Sequence, residues 1–212
     1  MPAIVAFALG SAGAGAVAAQ LILLRELLSS FSGNELSISL VVFSWLLSQG
    51  IGVPLGGYLA RNAAKPERLF SVLLALFALV LPCALLLARL ARPAFGVPLW
   101  QGLGFGQTAA AAFLVMAGPG LLQGAIFPSA LALFDSPGKI YGWLSAGTLC
   151  GGLLLSLAFH FGVSHFTLVF AAVALCLAAA IPFAGKRLAA SLLCLFGLFT
   201  LLPPSGVSER IG

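Results

Sequence analysis

Charge is what this chain lacks most. Only 7% of its 212 residues are charged, where a soluble domain carries about 25%. The acids are five: Glu26, Glu35, Glu67, Asp135 and Glu209. No soluble surface can be built from so few, and with 61% hydrophobic residues and a mean hydropathy of +1.16 the solvent for most of the chain is lipid. In lipid every backbone polar group must be paired within the protein, which leaves helices or a closed barrel. The alternation of apolar and polar residues over ~10-residue strands that marks a barrel is also missing. The runs are unbroken and rich in Leu and Ala, so the expected fold is all-α. Paired cysteines are lacking too: Cys83, Cys150, Cys176 and Cys194 each lie inside an apolar run without CxxC spacing. They read as small buried hydrophobes rather than a disulfide or metal framework. No Lys or Arg precedes the first apolar run, so the positive region of a signal peptide is absent and a retained first helix is expected. There is no GxGxxG opening a βαβ unit, no Walker A, no GxSxG and no HExxH. The glycines of "GLGFGQ" (102–107) follow no strand and read as a link.

Seven segments are long and apolar enough to approach the about 20 residues a spanning helix needs. They are 3–27, 36–60, 69–90, 106–132, 141–161, 164–183 and 188–203, in one domain over 1–203 with a short polar tail at 204–212. The net charge of +5 does not point to nucleic acid, because the basic residues cluster in the short links and act as topology signals. Arg61, Lys65, Arg68, Lys139, Lys186 and Arg187 fall on one side, and Arg25, Arg89, Arg92 and Arg210 on the other. The bias places the N-terminus in the cytoplasm.

Small residues recur at every fourth position: Ser11, Gly15 and Ala19 in the first segment, Gly52 and Gly56 in the second, Gly147 and Gly151 in the fifth. Such stripes let helix backbones approach closely and are expected to serve a tight bundle or an assembly interface. The fourth segment, "MAGPGLLQGAIFPSA", holds Pro119, Gly120, Gly124 and Pro128. Proline removes a helical hydrogen bond, and broken membrane helices often mark a transporter's binding site. This segment is therefore the broken-helix candidate.

Charge concentrates in "LLRELLSSFSGNELS" (23–37). Arg25 and Glu26 are adjacent, so on a helix they point about 100° apart and make poor partners. Glu35, Gln20 or another helix are the better ones. Asn34 can cap the second helix, and Glu35 suits its positive end. Two readings follow. One is a salt-bridge clasp between helices one and two; the other is a carboxylate-lined vestibule for a small cation, since ionisable groups near membrane segments are functional candidates by default. His160 and His165 flank the next-to-last link and could serve a haem, metal or quinone, but read more simply as interfacial histidines beside aromatics. "FDSPGKIYGW" (134–143) forms a turn at Asp135 and Ser136, followed by the anchor Lys139, Tyr141 and Trp143.

In order along the chain, "QLILLRELLSSFSGNELSISLVVFSWL", "GIGVPLGGYLARN", "GLLQGAIFPSALALF" and "GKIYGWLSAGTLCGGLLLSLAF" resemble the membrane domain of bacterial spermidine (polyamine) synthase-like proteins. That domain is itself similar to half of a major facilitator transporter. The resemblance runs from residue 5 to about 180 and implies a half-facilitator-like bundle in the bacterial inner membrane. The soluble synthase domain of that family is absent here, so no enzyme activity, catalytic residue, metal or cofactor is carried over. Arg61 and Asn62 stand where the family pattern has an Asp-Arg pair, and Ala146 or Gly147 where it has an Asn. The expected function is a non-catalytic membrane subunit or scaffold that pairs with another membrane subunit or with itself. The alternatives are a transporter or binding protein for a polyamine or other small cation, and an electron-transfer or quinone-binding anchor.

Overall fold

The computed structural model describes residues 3–31, 35–98, 102–134, 136–185 and 189–191. Every regular element among them is helical: α1 (Ala3–Phe31), α2 (Glu35–Asn62), α3 (Pro66–Ala94), α4 (Phe105–Leu131), α5 (Pro137–His160) and α6 (His165–Ala180), the last followed by a 3-10 turn over Ile181–Phe183. Six of these stretches are long and apolar enough to cross a membrane, which makes the chain a multi-pass membrane protein. The seventh expected segment, 188–203, lies almost wholly outside the described residues. Pro66 and Pro137 begin α3 and α5, where a missing N–H costs nothing.

The break expected in the fourth segment does not occur. Pro119 and Pro128 are carried inside a continuous α4, as Pro54 is in α2 and Pro82 in α3. In lipid an interrupted helix would expose several backbone groups at once, whereas an embedded proline frees few. The glycines of this segment serve packing instead. A Cβ at Gly120 would meet Ser48, and one at Gly124 would fall on the Gln49 carbonyl.

α2 lies against α4 backbone to backbone. Gly52 faces the Leu121 carbonyl and Gly56 faces Ala125. α1 and α5 meet the same way: Gly147 faces the Gly10 carbonyl, Gly151 faces Ala14, and Gly13 faces the Leu144 carbonyl. The Thr148 hydroxyl donates across this seam to the Gly13 carbonyl at 3.3 Å. The third stripe is also used internally, with Ser11 and Ala19 buried and Gly15 against Cys176 and Phe77. None of the three stripes is therefore left to form an interface with another protein.

α3 and α6 close the bundle with larger side chains. Phe70, Leu74, Phe77, Leu81 and Leu85 of α3 are fully buried, and Phe70 meets Phe183 edge to face at 5.3 Å. The Ser71 hydroxyl donates to the Ala180 carbonyl at 2.8 Å, which pairs a polar group that lipid could not satisfy. Cys176 is buried as expected, but Cys83 and Cys150 are exposed. Cys194 lies outside the described residues.

The seams generate a contrast. Gly52→Leu drives a side chain into the α4 backbone and lowers stability by about 1–3 kcal/mol or more in detergent-denaturant titrations followed by helical circular dichroism. Gly50→Ala, two residues away with nothing within 4 Å of the new carbon, stays within about 0.5 kcal/mol of the parent chain. Equal behaviour of the two variants would rule out the backbone seam.

Candidate functional site

Glu26 is the buried charge of the described chain, with 7% of its surface exposed. It lies near the end of α1, where α3 also ends and α6 begins. Arg89 of α3 places Nε 2.7 Å from Oε1. His165, the first residue of α6, places Nδ1 2.5 Å from Oε2. Oε2 thus meets the His165 ring nitrogen and Oε1 the Arg89 cation, an ion pair in which the Nε–H is not aligned for a hydrogen bond, and one side chain joins three helices.

The local chain course explains why His165 reaches so far in. α5 ends in a turn with Gly162 at φ 71°, a left-handed conformation that favours glycine. The Gly162 N–H donates to the Phe159 carbonyl at 3.1 Å and that of Val163 to the Ala158 carbonyl at 3.0 Å. Ser164 then caps α6, its hydroxyl accepting from the Thr167 N–H at 3.3 Å. This tight reversal leaves His165 pointing back over the ends of α1 and α3.

Aromatic rings line the network. The Arg89 guanidinium lies over Phe166, 4.3 Å from the ring centre, and Arg25 lies over Phe159 at 4.1 Å. Phe159 packs edge to face on His165 at 5.6 Å. Cations over aromatic faces gain electrostatic attraction that grows as water is excluded. One turn further out, Arg92 donates to the Ser30 carbonyl at 3.4 Å and to the Pro98 carbonyl at 3.2 Å, and ties the end of α1 to the link after α3.

The arrangement differs from a clasp between helices one and two. Arg25 reaches Phe159 of α5, and Glu26 reaches α3 and α6. Glu35 is exposed in the first turn of α2, and Gln20 is half-buried outside the network. Asn34 lies outside the described residues. A vestibule of two carboxylates is not formed either, because both oxygens of Glu26 are engaged. His160 is exposed and lies edge to face with Phe161, 5.4 Å between ring centres, while His165 is the network's third member. Among the described residues no group of three metal-ligating side chains converges. Lys139, Tyr141 and Trp143 are exposed at the start of α5.

Arg89 is the participant that sequence reasoning assigned only to topology. Its signal was present: a guanidinium inside an apolar run, more than one turn before the helix ends, needs a partner. Which of the five acids supplies it cannot be read from spacing alone.

A second feature lies on the far side of the bundle. α2 and α5 stand apart and flank a groove floored by α1 and α4, into which Gln49, Gln123, Ser145 and Thr148 project. No protein-family model, curated protein or solved structure matches this chain.

Removing the carboxylate charge leaves Arg89 beside the core without its counter-ion. Glu26→Gln is expected to cost about 1–3 kcal/mol, below the value for a fully buried pair because the Arg89 side chain is 28% exposed. In the cycle with Arg89→Gln, the double variant recovers at least about 1 kcal/mol relative to additivity. Strict additivity of the two losses in a denaturant titration would show that the pair contributes nothing.

Proposed function

We propose that the chain is a non-catalytic, membrane-embedded subunit that scaffolds a larger assembly, with the face of α2 and α5 as its contact surface. The observation that carries this is the exposure of α5: only 6% of its apolar window is buried, against 56% for α1, α3 and α4. α2 is intermediate at 33%. An apolar helix can face lipid at no cost, but this face also presents the amide of Gln49 and the hydroxyls of Ser145 and Thr148. Such groups in membrane helices usually face protein or a water-filled cavity.

The helix pairing supports a half-facilitator-like bundle. α1 packs on α5 and α6, α4 packs on α2 and α3, and α3 packs on α6. Exchanging α1 with α4, α2 with α5 and α3 with α6 maps the first set of contacts onto the second. That is the relation expected of two three-helix repeats. The motif series quoted from the sequence supports kinship with the membrane domain of spermidine synthase-like proteins, in which the chemistry belongs to a separate soluble domain. The same reading takes 188–203 as a seventh span, and the Lys and Arg distribution supports a cytoplasmic N-terminus in a bacterial inner membrane. No observation favours the polyamine-carrier or electron-transfer alternatives, since Glu26 and His165 are engaged with each other.

Cys150, exposed on α5, and Cys83, exposed on α3, provide the test. In native membranes a short bifunctional thiol reagent is expected to link Cys150 to a second protein when Cys83 and Cys194 are replaced by Ser. The reciprocal variant retaining Cys83 stays monomeric. A chain that remains monomeric through Cys150 under these conditions would remove the scaffold reading.

A further inference from the structure

A slot separate from the groove between α2 and α5 runs between α5 and α6. It holds about 260 Å³, and its lining is Ala, Gly and Leu throughout. Gly151, Leu154 and Ala158 belong to one wall, Leu168, Ala171 and Leu175 to the other, and the small residues of α1 around Gly15 form the floor. Because nothing polar lines it, a hydrocarbon group enters it without giving up hydrogen bonds to water, and a polar one does not.

Its length matches one leaflet. Leu168 and Leu175 lie three and ten residues into α6, about 5 and 15 Å from its start at 1.5 Å per residue. Half of the roughly 30 Å hydrocarbon core of a bilayer is about the same depth. The slot therefore has room for one acyl chain that enters from the end where α6 begins.

A cation stands at that end. Glu26 meets His165, the first residue of α6, so Arg25, its neighbour in sequence, lies level with the mouth of the slot. The Arg25 guanidinium rests over Phe159, which directly follows Ala158 of the wall. Arg25 is exposed and makes no ion pair among the described residues. Glu26 does not cancel it, because that carboxylate is already shared by Arg89 and His165. Two guanidiniums against one carboxylate leave the mouth positive, and the N-terminal end of α6 adds to the same sign.

We propose that the slot between α5 and α6 binds one acyl chain of an anionic phospholipid whose phosphate pairs with Arg25. A zwitterionic phospholipid carries its own cation beside the phosphate and gains less from the arginine. The site is formed within one chain and does not rest on the scaffold reading.

The test uses the full chain, one copy per nanodisc, in phosphatidylcholine containing a few mole percent of phosphatidylglycerol with a diazirine on one acyl chain. Photolabelled peptides are mapped by mass spectrometry. Label is expected on 151–158 and 168–175. Unlabelled phosphatidylglycerol should displace it about fivefold more effectively than the same amount of additional phosphatidylcholine. Arg25→Gln should lower labelling about fivefold, the effect of one cation beside an anionic lipid, and Arg25→Lys should keep most of it. Ala171→Phe, at an exposed position of α6, fills the slot without touching the charge. It should lower labelling as much, and it decides the matter if Arg25→Gln does not fold. Uniform labelling of every exposed helix would overturn the inference. So would equal displacement by phosphatidylcholine, displacement by water-soluble glycerol phosphate, or wild-type labelling of the folded variants.

Discussion

Two seams where helix backbones touch without intervening side chains determine the shape of this bundle. In lipid no hydrophobic force draws helices together, so close van der Waals contact must do it. Gly52, Gly56, Gly120 and Gly124 supply it between α2 and α4, and Gly13, Gly147 and Gly151 between α1 and α5. Each seam attaches one outer helix to one inner helix. The inner helices then meet α3 and α6 through large apolar residues such as Phe70 and Phe77. Because the seams are thin and lie on opposite partners, α2 and α5 hang at the edge with a groove between them. Gly13 and Gly124 belong both to the seams and to the groove floor, so the same absence of side chains that joins the helices also makes room beside them.

The opposite end is held by electrostatics. Glu26 is shared between Arg89 and His165, and the two arginines flanking it lie over Phe159 and Phe166. A carboxylate removed from water needs compensating charge, and here each oxygen faces its own basic side chain. The network fastens α6, which has no glycine seam of the kind that holds α2 and α5. It also accounts for the turn around Gly162, whose left-handed backbone directs His165 back toward α1.

Much of the fold was legible in the sequence for a single reason. Backbone pairing in lipid forces uninterrupted apolar helices, so the approximate bounds of the six described helices follow from run length. α2 was expected over 36–60 and spans Glu35–Asn62; α5 was expected over 141–161 and spans Pro137–His160. The glycine stripes were legible as close-packing surfaces, but not what would press on them, because the partner of Gly147 lies at Gly10 in a distant segment. Pro119 misled for a related reason. Local propensity marks it as a breaker, yet the surrounding lipid leaves the backbone no alternative to continuing the helix. The charged cluster was legible as a special place, and of the partners open to it, Glu35, Gln20 or another helix, the structure takes the last. Arg25 and Glu26 are neighbours in sequence and diverge on the helix, and the true partners come from α3 and α6. The groove left no mark at all, since Gln49, Gln123 and Ser145 are too far apart in the chain to form a motif.

The position of Glu26 bears on how the chain enters the membrane. During synthesis the carboxylate emerges well before Arg89 and 139 residues before His165. At about 5–20 residues per second that is a wait of several seconds or more. A carboxylate at the middle of α1 would spend that interval in hydrocarbon without a counter-charge. Placed near the end of the helix, beside Ser29 and Ser30 whose hydroxyls donate to its backbone carbonyl, it can remain in interfacial water until α3 arrives. The α1 helix thus carries an apolar span with a wet end, and the network that joins it to α3 and α6 is complete only when the last of the three has been made.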